Sequence, residues 1–202
     1  AVRFTDDGAG RLEVVWRAGL PGGRLGVPVV LSDDRDEIYV HSEDGTLAAY
    51  STADGSPVWS TPVGYRPDTP PALLPDGTVV TGGRTTTVWR GPEDDHDADA
   101  GPAPVVAVRG EGGEGREVWR RDDLRQLTNP AATGDGRVLV AAPSGGTDDE
   151  PGIALLLLDG AGGSTRHEIA VPAARGPVSG LSVADEGRIA LTTAVGAVYV
   201  YE

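Results

Sequence analysis

Apolar residues in this chain arrive in runs of four to seven, rich in Val, Ile and Tyr and closed off by Gly, Asp or Pro. Runs of that length bounded by turn formers are strands, because an amphipathic helix needs apolar positions at a 3.6-residue period over a longer span. The stretch from Val27 to Gly64 shows the pattern most clearly. Val27–Ser32 reads as a strand, Asp33–Asp36 as a polar turn and Glu37–Ser42 as a second strand, and Asp44-Gly45 is a strong hairpin signal. Leu47–Tyr50, Asp54-Gly55 and Pro57–Ser60 then supply strand, turn and strand. Four strands joined by tight turns in fewer than 40 residues make an antiparallel meander.

The same order recurs. Pro71–Leu74, Asp76-Gly77, Thr78–Gly82 and Val105–Val108 lead to Val118-Trp119. Pro130–Thr133, Asp135-Gly136, Val138–Ala142 and Ile153–Leu158 lead to Thr165–Ile169. Val178–Val183, Glu186-Gly187, Ile189–Thr193 and Ala197–Tyr201 form a last set. Repeats of roughly 40–50 residues with four strands each point to a propeller. A single small sheet cannot bury both of its faces, so neighbouring sheets must stack to make a core. The expected fold is all-β: a β-propeller of four-stranded antiparallel blades in a single domain over 1–202. Blades are expected near 27–64, 71–120, 130–170, and 177–202 completed by 1–17.

The large aromatic of each fourth strand tests the register. Trp16 to Trp59 is 43 residues, Trp59 to Trp119 is 60, and His167 lies at the equivalent point 48 residues further on. By this count the chain starts near the end of a third strand and stops after another. Four blades then fit, the last closed by the N-terminal strand Arg11–Trp16. A ring closed within one chain, half of a two-chain propeller and part of a larger propeller all satisfy the count. A homodimer is therefore among the expected states.

The segment Ala49-Tyr-Ser-Thr-Ala-Asp-Gly-Ser-Pro-Val-Trp59 resembles the repeat of the PQQ-like β-propeller family, Ala-x-Asp-x-x-x-Gly-x-x-x-Trp. Ser51 stands where that pattern has Asp, and Gly55 falls one place early. Leu157 to His167 keeps Asp159 and Gly163 but puts His167 at the Trp position, and Ala107 to Trp119 is two residues longer than the pattern. The resemblance is strongest over 27–64 and uneven elsewhere. It implies that Trp16, Trp59, Trp119 and His167 dock one blade on the next, and it favours an extracytoplasmic location. The family includes quinoprotein dehydrogenases as well as non-enzymatic scaffolds and sensors. No motif here matches the enzymes' calcium ligands or catalytic Asp, so PQQ is not expected and the scaffold or sensor branch is the expected one.

Composition narrows the partners. The 17 basic residues face 31 acidic ones, for a net charge of −14, which is the wrong sign for nucleic acid or an anionic membrane. The longest apolar run, Ile153–Leu158, is far short of the roughly 18 residues that span a bilayer, so membrane insertion is not expected. With no Cys there is no disulfide framework or thiolate nucleophile. All the basic residues are Arg, which excludes a P-loop or Schiff-base lysine. The chain has no Met, so Ala1 is not expected to be the translational start. The 30 Gly and 16 Pro stay just under the roughly 25–30% at which disorder is the first reading.

Two acidic insertions interrupt the repeats between second and third strands, Arg90–Gly101 and Gly145–Gly152. Asp95, Asp97 and Asp99 alternate as ligands of a hard cation would, with His96 among them and Asp148 and Asp149 in the second loop. Ala100 and Val106 stand where an EF-hand needs Gly and Glu, so a Ca²⁺ site there is the minor reading and a solvated acidic loop the main one. His41 alternates with Tyr39 and reads as a packing residue. No arrangement suggests a Ser-His-Asp triad, and no catalytic residue is assigned. The links between blades are the candidate ligand-binding rim: Tyr65 and Arg66 in one, Arg120, Arg121 and Arg125 in the next. Guanidinium groups there suit a carboxylate or an acidic peptide, unless the neighbouring Asp residues pair with them first. The expected function is a non-catalytic binding, sensor or scaffold propeller for a protein, peptide or small ligand, with no cofactor. The alternatives are a propeller enzyme, either a reduced quinoprotein or a Ca²⁺-dependent hydrolase, or half of a composite ring.

Overall fold

The computed structural model describes residues 2–6, 8, 12–20, 25, 27–32, 34–65, 67, 69–83, 104–124, 126–146, 151–171, 178–184 and 186–202. Its elements are strands: β1 (Val2–Asp6), β2 (Leu12–Arg17), β3 (Val30–Ser32), β4 (Glu37–His41), β5 (Thr46–Ser51), β6 (Pro57–Pro62), β7 (Ala72–Leu73), β8 (Val79–Gly82) and β9 (Val105–Glu111). They continue with β10 (Glu114–Arg121), β11 (Ala131–Ala132), β12 (Arg137–Gly146), β13 (Pro151–Asp159), β14 (Thr165–Ala170), β15 (Val178–Val183), β16 (Ile189–Thr193) and β17 (Val198–Tyr201). Four antiparallel sheets result, β3–β6, β7–β10, β11–β14 and β15–β17, each strand paired with its neighbours in sequence. They are arranged as four blades of a β-propeller.

The turns that separate strands are where the sequence places them. Gly45, Gly55, Gly77, Gly136 and Gly187 all take positive φ. Asp76 caps its turn by accepting from the Thr78 N–H at 2.9 Å, and Asp44 does the same for Thr46 at 3.0 Å. Such side-chain-to-backbone bonds fix the turn from its own residues, which is why Asp-Gly is legible in sequence. Between turns, strict alternation sends one set of side chains to each face. In the first sheet Tyr39, Leu47 and Ala49 go one way, and Val40, Ala48 and Tyr50 go the other.

The core is a series of seams between sheets. Tyr39, Leu47, Ala49 and Trp59 of the first sheet bury against Val79, Val106 and Val108 of the second. Val80, Val105, Ala107 and Trp119 of the second meet Val138, Val140, Leu156 and Leu158 of the third. Leu139, Ile153 and Leu155 of the third meet Leu181, Leu191 and the half-buried Tyr199 and Tyr201 of the fourth. At roughly 1.5–3 kcal/mol per fully buried aliphatic or aromatic side chain, these seams are what hold the blades in line.

Closure takes a different form from the one expected. The fourth sheet has three strands, and β2 pairs with β1 instead of β17, with Trp16 opposite Arg3. Among the described residues no buried cluster joins the fourth sheet to the first. Trp16 keeps its expected place on the first sheet, its indole N–H donating to the Thr52 carbonyl at 2.9 Å, while β1 takes the strand position beside β2.

Candidate functional site

Three of the four expected docking positions carry an indole seated on the next sheet. An added Cβ at Gly110 or Gly115 would lie 2.2 Å and 2.5 Å from the Trp59 ring, so only Gly lets that ring in. Gly163 is bound by the same constraint, 2.7 Å from Trp119, whose N–H donates to the Gly160 carbonyl at 2.7 Å. Gly55 receives Trp16 at 2.5 Å. Indoles seated on glycines of a neighbouring sheet are packing elements, and the N–H groups of Trp16 and Trp119 are partnered by backbone carbonyls. His167 occupies the matching register position opposite Leu157, but β14 is exposed along its whole length. The fourth sheet ends at its third strand and so offers β14 no third-to-fourth-strand turn to dock on.

Antiparallel order puts the links between blades and the second-to-third loops at one end of the blades, and the remaining turns at the other. At the link end, Arg120 donates to the Val63 carbonyl at 3.2 Å, which brings it beside Tyr65, and it pairs with Glu117 at 2.9 Å and Asp122 at 3.8 Å. Arg121 makes two bonds to Asp123, at 2.7 and 2.8 Å, and reaches the Gly163 carbonyl at 2.7 Å. Bonding to Arg121 holds the Asp123 carboxyl below the usual range. The structure therefore brings Tyr65 and Arg120 together and leaves Arg121 facing the third blade. Arg66, Arg125, Asp95, His96, Asp97, Asp99, Asp148 and Asp149 lie outside the described residues.

Beneath this rim is a polar layer that sequence reasoning did not find. His41, fully buried, places Nδ1 2.9 Å from the Thr81 hydroxyl and stands edge-on to Tyr65 with ring centres 5.3 Å apart. Burial holds its pKa down to about 4, so it is neutral at pH 7, and burial pushes the Tyr65 phenol up. Gln126, also fully buried, donates to Thr69 at 3.3 Å, and Thr69 donates to the Gly82 carbonyl at 3.0 Å. His41 Nε2, Tyr65 Oη and Gln126 Oε1 are buried without a hydrogen-bond partner among the described residues. The available signal was the break in apolar alternation at His41 and Thr81, each at the end of a second strand.

The opposite end carries two clefts. One of about 350 Å³ is lined by first-to-second-strand turns of three sheets, including Asp34, Arg35, Pro75, Gly77 and Gly134. Arg35 reaches the Asp76 carbonyl there, and Arg109 pairs with the Asp76 carboxylate at 3.1 Å. The other, about 490 Å³, opens between the third and fourth sheets beside Arg137, Leu157 and Glu186. Both are open and shallow. Among the described residues no three His, Asp or Glu side chains gather as a metal site would require, and no helix is long and apolar enough to cross a membrane.

No protein-family model matches the chain. A curated relative, Protein Rv3035 of Mycobacterium tuberculosis, is 36% identical over 181 residues, which is 89% of this chain and 39% of that protein. The chain thus spans about two fifths of the curated relative it matches. Among solved structures it is similar to BamB from Moraxella catarrhalis, with a TM-score of 0.57 and 16% identity over 93% of this chain and 52% of that one. It is also similar to the C-terminal WD40 domain of Sif2, with a TM-score of 0.69 and 12% identity over 100% of this chain and 50% of that one. A third, the computationally designed Ika4 protein, gives 0.60 and 14% over 93% of this chain and 96% of that one. These likenesses show the propeller fold.

Proposed function

We propose that this chain is a non-catalytic scaffold of the PQQ-like propeller type that presents its link end to a protein or peptide. The observation that carries the reading is how Arg120 is held at the link end. It is tied at once to Glu117 and to the Val63 carbonyl of the preceding link, with its side chain only 29% exposed. Charges fixed in this way form a stiff, patterned surface with little ordering cost left to meet on binding, which is what a protein-recognition rim needs. A catalytic site would instead gather titratable groups in an enclosed pocket. The propeller neighbours BamB and the WD40 domain are consistent with a scaffold as a matter of fold alone.

The test compares polypeptides captured by the chain with those captured by an Asp122→Arg variant, alongside a PQQ titration followed by absorbance. The reading expects a partner that is held by the parent chain and lost by the variant, with no stoichiometric PQQ uptake. Partners indifferent to the variant, or PQQ bound one to one, would overturn it.

A further inference from the structure

Three of the four sheets join their first and second strands by the same short turn. The N–H of Leu74 donates to the Thr78 carbonyl, that of Thr133 to Arg137 and that of Ala184 to Arg188. Three residues intervene each time, the last of them Gly77, Gly136 or Gly187 at positive φ. The first sheet departs from this. Ser32 pairs with Glu37 across four residues, and Asp36 stands in the glycine position with a φ of 52°, the one described non-glycine residue in the left-handed region. A Cβ is disfavoured there, and the three-residue turn closes the other sheets without it, so strand pairing alone does not call for the longer turn.

The longer turn carries Arg35 over the second sheet. Its guanidinium lies on Gly77, where an added Cβ would collide with it, and donates to the Asp76 carbonyl. Arginines beside the other three turns are paired with carboxylates: Arg109 with Asp76 at 3.1 Å, Arg137 with Asp135 at 3.3 Å and Arg188 with Glu186 at 3.3 Å. Among the described residues no carboxylate is paired with Arg35. Its side chain forms part of the wall of the cleft of about 350 Å³ between the turns of the first three sheets. Asp34 is the other charged residue of that wall, exposed and without a partner among the described residues. Leu73, Pro75 and Ala132 add apolar surface.

A guanidinium with free N–H groups takes a carboxylate, and an unpaired carboxylate takes an ammonium. With both in one cleft, a phosphate or dicarboxylate would meet Asp34 and a simple amine would meet Arg35, so a ligand carrying both charges is favoured over either. The cleft volume lies at the lower end of the roughly 300–1,000 Å³ of ligand pockets, which suits a small molecule. We infer that this cleft binds a small apolar α-amino acid, with its carboxylate on Arg35, its ammonium on Asp34 and its side chain over Leu73, Pro75 and Ala132. Both charged groups are exposed, so binding is weak and exchange fast. The site lies at the end of the blades opposite the link rim and is independent of whatever partner that rim holds.

The test is a titration of the isotope-labelled chain with L-leucine, followed in its amide NMR spectrum. Saturable shifts confined to the turns that line the cleft are expected. N-acetyl-leucine lacks the ammonium and leucinamide lacks the carboxylate, and each is expected to bind about tenfold more weakly, as the loss of one charged hydrogen-bonding group implies. Two surface variants then separate the charges. Arg35→Gln should weaken leucine by about the same factor and leave leucinamide unchanged, and Asp34→Asn should weaken leucine and leave N-acetyl-leucine unchanged. No saturable shift with leucine, capped forms that bind as well as leucine itself, or variants that spare leucine or weaken all three compounds alike would each overturn the inference.

Discussion

Trp59 and His41, both on the face of the first sheet that meets the second, show how single residues serve one seam in different ways. Trp59 fills the space above Gly110 and Gly115 and lies 6.0 Å from the Tyr39 ring, so Trp59→Ala leaves a cavity that two glycines cannot fill. A loss of about 3–5 kcal/mol in urea unfolding is expected. His41 acts through protonation. Its folded pKa of about 4 lies below the ordinary 6.5, so the unfolded chain takes up a proton first as pH falls. The stability it contributes is complete above pH 6.5 and drains away as pH drops toward 4, to a total of about 3 kcal/mol. Carboxylates such as Asp76 also lose stabilising partners in acid, so the measurement is the difference between the parent chain and His41→Gln across that window. The variant should have the flatter profile, and equal slopes would show that His41 does not stay neutral on folding. The docking role of the tryptophans was legible through the resemblance of Ala49–Trp59 to the PQQ-like repeat, which implies it. The partnerless atoms of His41, Tyr65 and Gln126 were not, since they meet from residues far apart in the chain.

At the scale of elements, the pairing of Arg121 illustrates how links are tied down. It bonds Asp123 in its own link, but also the Gly163 carbonyl and the Thr165 hydroxyl of the third sheet. Asp123 is mostly exposed, and an exposed ion pair is worth at most about 1 kcal/mol. Arg121→Ala should therefore cost more than Asp123→Ala in thermal unfolding, the second costing less than about 1 kcal/mol. Equal costs would reduce the Arg121 anchor to its local ion pair. Sequence separated the two ends of this interaction by some forty residues and so made Arg121 look available to a ligand. Strand existence was more readily legible than strand length. β12 and β13 run longer than their apolar cores, to Gly146 and from Pro151, because backbone pairing continues past the last side chain that packs.

For the molecule as a whole, the row of seams matters more than any one sheet. Each sheet buries a face only where a neighbour covers it, so the exposure of Val198, Val200 and Leu31 belongs to the ends of the row and to no local feature. The amino-acid sequence by itself determined the strands, their antiparallel order, the turns and the four-fold repeat, because each follows from neighbours along the chain through alternation and Asp-Gly chemistry. Only the tertiary structure decided that β2 turns to β1 and the first sheet instead of β17, that Arg120 and Arg121 are already spoken for, and that His41 is shut away neutral. Those outcomes depend on which distant surfaces come into contact, and local patterning carries no record of that.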